Sequence, residues 1–292
     1  MQQWRLVVQI ISGKELSKTI KAQIKEGVAK LDKKPCLAVI IVGENPASKI
    51  YVKNKEKACA DCGFESIKYE LEESISEIEL LNVIDKLNKD KNINGILVQL
   101  PLPKHINEEK VILSIDPNKD VDCFHPYNVG ILYTSRKNSD CQVLPCTANG
   151  CLQLIKTVCE NLEGKNAVVI GRSNIVGKPV AQLLLNENCT TTIVHSRTKN
   201  IEEITRQADI LIVAVGKAKF LKENMVKDGV IVIDVGINRL EDGSICGDVD
   251  FENVSEKCSY ITPVPNGVGP MTIACLMQNT FNFYLKHNNI KE

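Results

Sequence analysis

The chain has 292 residues, about two domains at roughly 150 residues each. Its 36 Lys and Arg balance 36 Asp and Glu, which argues against a general nucleic-acid binder with a counterion-releasing basic face and against a polybasic membrane-surface protein. Hydrophobic residues make up 43%, yet no apolar run approaches the roughly 20 residues of a membrane helix, and the N-terminus lacks the charged start and small-residue cleavage site of a signal peptide. The expectation is a cytoplasmic protein with neither nucleic acid nor membrane as partner.

Twelve cysteines in a long chain without an export signal read as reduced thiols rather than a disulfide framework. Cys59-Ala-Asp-Cys62 has the spacing of a redox or zinc pair, but no second close pair accompanies it, so no metal is expected.

Taken in chain order, residues 7–11 read as a strand. Leu16, Ile20, Ile24, Val28 and Leu31 then recur at helical spacing. Residues 37–42 form a buried-strand run ended by Gly43, and a helix starts at Pro46 and stops at Gly63. Residues 67–71 read as a strand and Ile78, Leu81, Ile84 and Leu87 as a helical stripe. Residues 95–100 are a strand closed by Pro101 and Pro103. Residues 117–145 show little periodicity and read as loops. The pattern restarts after Pro145, with helices at about 152–159, 176–186 and 201–206, and strands at 166–170, 190–194, 210–215 and 230–235. Short apolar strands alternating with helices predict an α/β protein with parallel sheets covered on both faces. Two α/β domains flanking a cleft are expected, joined near residues 140–150, with a C-terminal helix from Met271 that suits either.

Strand 166–170 runs into Gly171-Arg-Ser-Asn-Ile-Val-Gly177 and then a helix. A Rossmann domain places its phosphate-binding turn there, where backbone N–H groups and the helix N-terminus meet a pyrophosphate. Ser173 stands in place of the second glycine of G-x-G-x-x-G, and Gly177 falls one residue after the third. The next strand ends Val194-His195-Ser196-Arg197, without the acid that holds an NAD ribose. Arg172 and Ser196 suit a 2′-phosphate instead, which favours NADP.

In the first half, Tyr51 and Lys55 are four apart and share a helix face. A lysine held in an apolar cleft can exchange protons near neutrality, although Lys49, Lys53 and Lys57 show how ordinary a surface lysine is here. Val98-Gln99-Leu100 ends a buried strand, and ligands of open α/β sheets bind beyond such ends. Asp120 and Asp122 sit in the loop that follows.

Together, Tyr51-Val-Lys-Asn-Lys55, Val98-Gln-Leu-Pro-Leu-Pro103, Lys119-Asp-Val-Asp122, Pro145-Cys-Thr, Gly171-Arg-Ser-Asn-Ile-Val-Gly-Lys-Pro179, Asp234-Val-Gly-Ile-Asn238, Gly247-Asp-Val-Asp-Phe251 and Pro263-Val-Pro-Asn-Gly-Val-Gly-Pro-Met-Thr272 resemble the bifunctional methylenetetrahydrofolate dehydrogenase/cyclohydrolase family, over nearly the whole chain and in the family's order. The resemblance implies NADP-dependent oxidation of 5,10-methylenetetrahydrofolate to the methenyl form and hydrolysis of that to 10-formyltetrahydrofolate in one cleft. It puts the essential lysine on Lys55, with Tyr51 and Gln99 holding it, and the folate-holding aspartate on Asp122. Val98, Leu100, Pro265 and Gly267 become further folate contacts, and Gly171, Arg172, Ser173, Ser196 and Ile237 cofactor contacts. It further implies tetrahydrofolate derivatives as partners and a homodimer. The folate-binding domain would be residues 1–145 plus a returning helix at about 271–292, and the Rossmann-type NADP domain residues 146–270.

Three positions depart from the family pattern. Cys123 follows the aspartate where Gly is usual, Ala148 replaces Pro, and Asn266 replaces Gly. Asn is the side chain that best tolerates left-handed geometry, whereas a side chain at 123 is expected to reshape the folate end of the site. Two alternatives remain at this point. A dehydrogenase without cyclohydrolase activity is opposed by the complete Tyr51, Lys55 and Gln99. A non-catalytic nucleotide-binding protein on the same fold is opposed by site residues in both domains.

Overall fold

A computed structural model describes residues 8–290. In chain order they form β1 (Gln9–Ile10), α1 (Gly13–Val28), β2 (Cys36–Val42), α2 (Pro46–Cys62), β3 (Glu65–Leu71), α3 (Glu77–Lys89), β4 (Gly95–Val98), α4 (Glu108–Ser114), α5 (Pro126–Thr134), α6 (Cys146–Lys156), β5 (Asn166–Ile170), α7 (Gly177–Asn186), β6 (Thr190–Val194), α8 (Ile201–Thr205), β7 (Ile210–Val213), β8 (Val230–Asp234), β9 (Asn238–Arg239), β10 (Ile245–Cys246), α9 (Phe251–Ser255), β11 (Cys258–Ile261) and α10 (Val268–His287). They divide into two compact α/β units. One holds residues 18–131, 141–146 and the chain from Ile273; the other holds residues 8–17, 132–140 and 147–272.

The first unit is built on a parallel sheet of order β3-β2-β4. β2 lies in the middle and is buried along its whole length, which is why its sequence is a continuous apolar run rather than an alternation. Leu80, Ile84 and Leu87 of α3 recur at helical spacing and pack on Ala38, Ile40, Ile96 and Val98 of the sheet. α3 opens with a capping box: Ser76 Oγ accepts from Glu79 N–H while the Glu79 carboxylate accepts from Ser76 N–H. The helix closes on a distant side chain. Lys119 Nζ donates to the carbonyls of Leu87, Asn88 and Asp90 at 2.9, 2.8 and 2.7 Å, satisfying groups that a helix C-terminus otherwise leaves open.

The second unit is a six-stranded parallel sheet of order β1-β11-β8-β7-β5-β6. Val168, Ile170, Leu211, Val213, Val230 and Val232 of its inner strands belong to one buried core. β9 and β10 add a short antiparallel ribbon.

Several expectations are corrected. The strand expected at 7–11 is two residues long, with Val7 outside the described residues, and it pairs with β11 at the edge of the six-stranded sheet rather than with the first-half strands. The boundaries 1–145 and 146–270 therefore shift: residues 8–17 and 132–140 belong to the six-stranded unit. The loop expected over 117–145 contains α5 and a 3-10 turn at Asn138–Asp140. The sequence Pro-Tyr-Asn-Val-Gly-Ile-Leu-Tyr-Thr of α5 places no polar face opposite an apolar one, so it carries no helical period. β11 was missed because Cys-Ser-Tyr-Ile is half-buried and mixed in polarity.

Candidate active site

In the three-stranded unit, the segment after α4 is laid along β4. Ile96 N–H donates to Lys119 O at 2.7 Å. A Cβ at Gly95 would lie 2.4 Å from the Val121 side chain, so glycine is what lets this segment close on the strand. Asp120 anchors it: the buried carboxylate accepts from His125 N–H at 2.9 Å, Phe124 N–H at 3.3 Å and Asn128 Nδ2 at 3.0 Å. Two residues on, Asp122 joins Val98, Leu100, Ile96 and Phe124 around a narrow cavity.

Lys55 comes from α2, whose start is marked by Asn45 accepting from Ser48 N–H at 3.1 Å. Its side chain is only 8% exposed, and Nζ donates to Gln99 Oε1 at 3.0 Å. Gln99 is fixed twice over: its backbone N–H extends the sheet to Ile40 O at 2.8 Å, and Nε2 donates to Leu100 O at 2.7 Å. Burial pushes the Asp122 carboxyl up to about 6; the positive charge of Lys55 pulls it down and the negative charge of Asp120 pushes it further up. Lys55, Gln99, Asp122, Val98 and Leu100 thus lie in one unit. Tyr51, one turn before Lys55, is 39% exposed. The Lys55 ammonium bonds to Gln99, and no bond joins it to Tyr51 among the described residues.

The departures from the family pattern resolve into backbone geometry. Cys123 is fully buried with φ 60° and Asn266 has φ 80°. Both occupy the left-handed region that favours glycine. Ala148 is buried within α6.

In the six-stranded unit, Gly171 follows β5 with φ 127°, and a Cβ there would lie 2.2 Å from Ala214 O. A Cβ at Gly177 would lie 2.3 Å from Gly171 O. The turn is therefore packed backbone against backbone. Ser173 Oγ accepts from Val176 and Gly177 N–H, both at 3.2 Å, which leaves its own O–H to donate outward. Arg172, Ser173, Ser196 and Ile237 are exposed. No acid ends β6. This donor set fits a dinucleotide with a 2′-phosphate. Pro265, exposed, and Gly267, buried, also belong to this unit.

Two buried aspartates that the motifs carried without a role shape the loops at the carboxyl ends of β7 and β8. Asp248 accepts from Val215, Gly216 and Lys217 N–H at 2.7, 2.8 and 2.9 Å and from Asn238 Nδ2 at 2.9 Å. Asp234 accepts from Gly236, Asp248 and Val249 N–H at 3.0, 2.9 and 3.0 Å, and burial pushes its carboxyl up to about 6. A Cβ at Gly236 would meet Asp248 Oδ1 at 2.2 Å, and one at Gly247 would meet Asp234 Oδ2 at 1.8 Å. The recurrence of Gly one or two residues from Asp in both motifs was the readable signal. Lys119 and Asp120 were missed for another reason: their partners are mostly main-chain groups, which leave no mark in the sequence.

Fold and side chains define an α/β enzyme with a Rossmann-type dinucleotide domain and a separate lysine-, amide- and carboxylate-bearing catalytic unit. Comparison with known proteins agrees. The family model for the tetrahydrofolate dehydrogenase/cyclohydrolase catalytic domain matches residues 11–122, and that for the NAD(P)-binding domain of the same family matches residues 145–288. The bifunctional protein FolD of Acetivibrio thermocellus is 58% identical over 275 residues, covering 93% of this chain and 95% of its own. The crystal structure of the FolD methylenetetrahydrofolate dehydrogenase/cyclohydrolase of Campylobacter jejuni superposes with TM-score 0.92 at 52% identity, over 97% of this chain and 99% of that one. The Trypanosoma brucei FolD structure, complexed with NADP cofactor and an inhibitor, gives TM-score 0.91 at 37% identity, over 96% and 98%. The chain belongs to the tetrahydrofolate dehydrogenase/cyclohydrolase family.

Proposed function

We infer that the chain is an NADP-dependent 5,10-methylenetetrahydrofolate dehydrogenase and 5,10-methenyltetrahydrofolate cyclohydrolase. Bifunctional relatives spanning nearly its whole length support both activities. The observation that carries the reading is the Lys55–Gln99 pair at 3.0 Å, in the same unit as Asp122.

NADP⁺, when bound, accepts the hydride that leaves the bridging methylene. The folate is then an amidinium-like cation. Asp122 binds the pterin by accepting from its amino group and ring N–H, since one carboxylate accepts from two donors at once. Val98 and Leu100 supply apolar contact beside it. In the hydrolysis, water adds to the cationic carbon, the bond from that carbon to N5 breaks, and one net proton is released. The Lys55 ammonium gives a proton to N5 as that bond breaks, and the amine so formed takes the hydroxyl proton of the adduct as the formyl carbonyl forms, with Gln99 fixing the direction of Nζ. Tyr51, exposed on the same helix face, contacts the bound folate; Pro265 and Gly267 keep the folate-contacting role that the resemblance gives them. Arg172 and Ser196 would hold the 2′-phosphate, Gly171 and Ser173 would meet the pyrophosphate at the turn, and Ile237 keeps the cofactor-contacting role that the resemblance gives it.

The described cysteines are thiols rather than disulfides, which suits a reducing cytosol. No helix among the described residues is long and apolar enough to cross a membrane. β6 is an edge strand with Ile193 39% exposed, and Leu185 and Ile175 nearby in sequence are 50% and 44% exposed; this supports assembly as a homodimer, which light scattering of the purified protein checks.

The test is an assay of purified protein with 5,10-methylenetetrahydrofolate and either dinucleotide. Formation of NADPH with 10-formyltetrahydrofolate as end product is expected, and NADP⁺ should outperform NAD⁺. Arg172→Ala should raise the NADP⁺ KM far more than the NAD⁺ KM, since a phosphate–guanidinium pair is worth roughly 1.5–3 kcal/mol. Equal effects on both cofactors would remove Arg172 from the 2′-phosphate.

A further inference from the structure

Asp122 has no side-chain hydrogen bond of its own among the described residues, so its place is set by its backbone. On one side that backbone turns through the left-handed Cys123. On the other, the carbonyl of Val121 is held by two buried donors, Asn279 Nδ2 at 2.8 Å and Cys146 Sγ at 3.2 Å. Asn279 projects from α10 and is 2% exposed. Its amide also donates to Leu144 O at 2.8 Å, so both of its N–H groups are used on main-chain carbonyls. One buried amide thereby ties the segment before Asp122, the segment before α6 and the C-terminal helix into a single arrangement within the three-stranded unit. A buried carbonyl that loses its donor carries the full desolvation penalty and has reason to move.

We propose that Asn279 is a positioning residue for folate binding, acting through the Val121 carbonyl on the placement of Asp122. This rests on the assignment of Asp122 to the pterin. Asn279 does not touch the folate. Removing it leaves the chemistry of the carboxylate intact and displaces its seat, so the loss falls on folate affinity and not on NADP⁺ affinity.

A double-mutant cycle tests this. Asn279→Ala, Asp122→Ala and the double variant are titrated with tetrahydrofolate and, separately, with NADP⁺ by calorimetry, and the KM of both substrates is measured. Asn279→Ala is expected to weaken tetrahydrofolate binding roughly tenfold, to raise the methylenetetrahydrofolate KM more than it lowers kcat, and to leave the NADP⁺ values as they are. In the Asp122→Ala background the same substitution should add at most about a twofold further loss. Full additivity of the two single effects overturns the proposal while leaving Asp122 in the folate site. Unchanged tetrahydrofolate affinity in Asp122→Ala alone overturns the folate assignment of Asp122, and the proposal with it. If Asn279→Ala does not fold, Asn279→Ser, which keeps one hydroxyl donor, carries the same cycle.

Discussion

The Asp122 carboxyl sits where burial disfavours its charge. Burial pushes its carboxyl up to about 6, against the pull of Lys55 and with the push of Asp120. If the ionised form accepts from the pterin, folate affinity rises as pH increases through about 6 and falls when the carboxylate is protonated. The methylenetetrahydrofolate KM of the parent should therefore improve between mildly acidic and neutral pH, and Asp122→Asn should lose that inflection. An unaltered inflection in the Asn variant would assign it to another group. Cys123, next in the chain, has its backbone at φ 60° and its thiol buried. Replacing it removes the thiol whatever follows, but only glycine also relieves the left-handed strain, about 1–2 kcal/mol for a side-chain-bearing residue. Glycine's greater unfolded-state freedom returns part of that. Cys123→Gly should be more stable to denaturant than Cys123→Ala; the reverse order would show that the turn carries no strain. At this scale the sequence made Lys55 and Gln99 legible, one by helix spacing and one by its place at a strand end. The bond between them joins residues far apart in the chain and could not be read, and neither could the lack of a bond between Tyr51 and Lys55.

At the level of elements, α3 is held at its two ends by different means. The capping box at Ser76 and Glu79 is local and visible in the sequence. The cap at the other end is Lys119, three carbonyls deep, and it begins the same Lys-Asp-Val-Asp run that places Asp122. Lys119→Met keeps the stem and removes the donors. It should cost about 2–3 kcal/mol in denaturant unfolding, as expected for charge-assisted bonds lost at buried carbonyls, and it should weaken folate binding as well. A stability equal to the parent's would mean that water caps the helix as well as the lysine does. Buried strands such as β2, β5, β7 and β8 were readable as apolar runs because parallel strands covered on both faces show no alternation. β1 lies in the other unit from the one expected for residues 1–145: two exposed residues carry no pattern, and the partner strand β11 lies near the other end of the chain. α5 was lost for want of a polar face.

Across the whole molecule, neither unit is continuous in sequence. The six-stranded unit borrows residues 8–17 and 132–140, and the three-stranded unit takes back α10 from Ile273 onward. Four of the five boundaries between the units fall inside helices, α1, α5, α6 and α10, so they leave no linker in the sequence, and a single joint near 140–150 is all that composition suggests. The family resemblance supplied what periodicity did not, namely the return of the last helix and the roles proposed for the charged residues. The central claim is that one chain carries out two reactions and that Lys55 is needed for only one of them. The most direct measurement follows 5,10-methenyltetrahydrofolate by its absorbance in stopped flow, with the parent and Lys55→Met compared side by side. The parent should hydrolyse added methenyltetrahydrofolate to 10-formyltetrahydrofolate. The variant should lose about 10²–10⁴-fold of that rate, the range for a general acid–base group, yet still reduce NADP⁺ with methylenetetrahydrofolate, so that the methenyl form accumulates. A Lys55→Met enzyme that hydrolyses methenyltetrahydrofolate at the parent's rate would contradict the account.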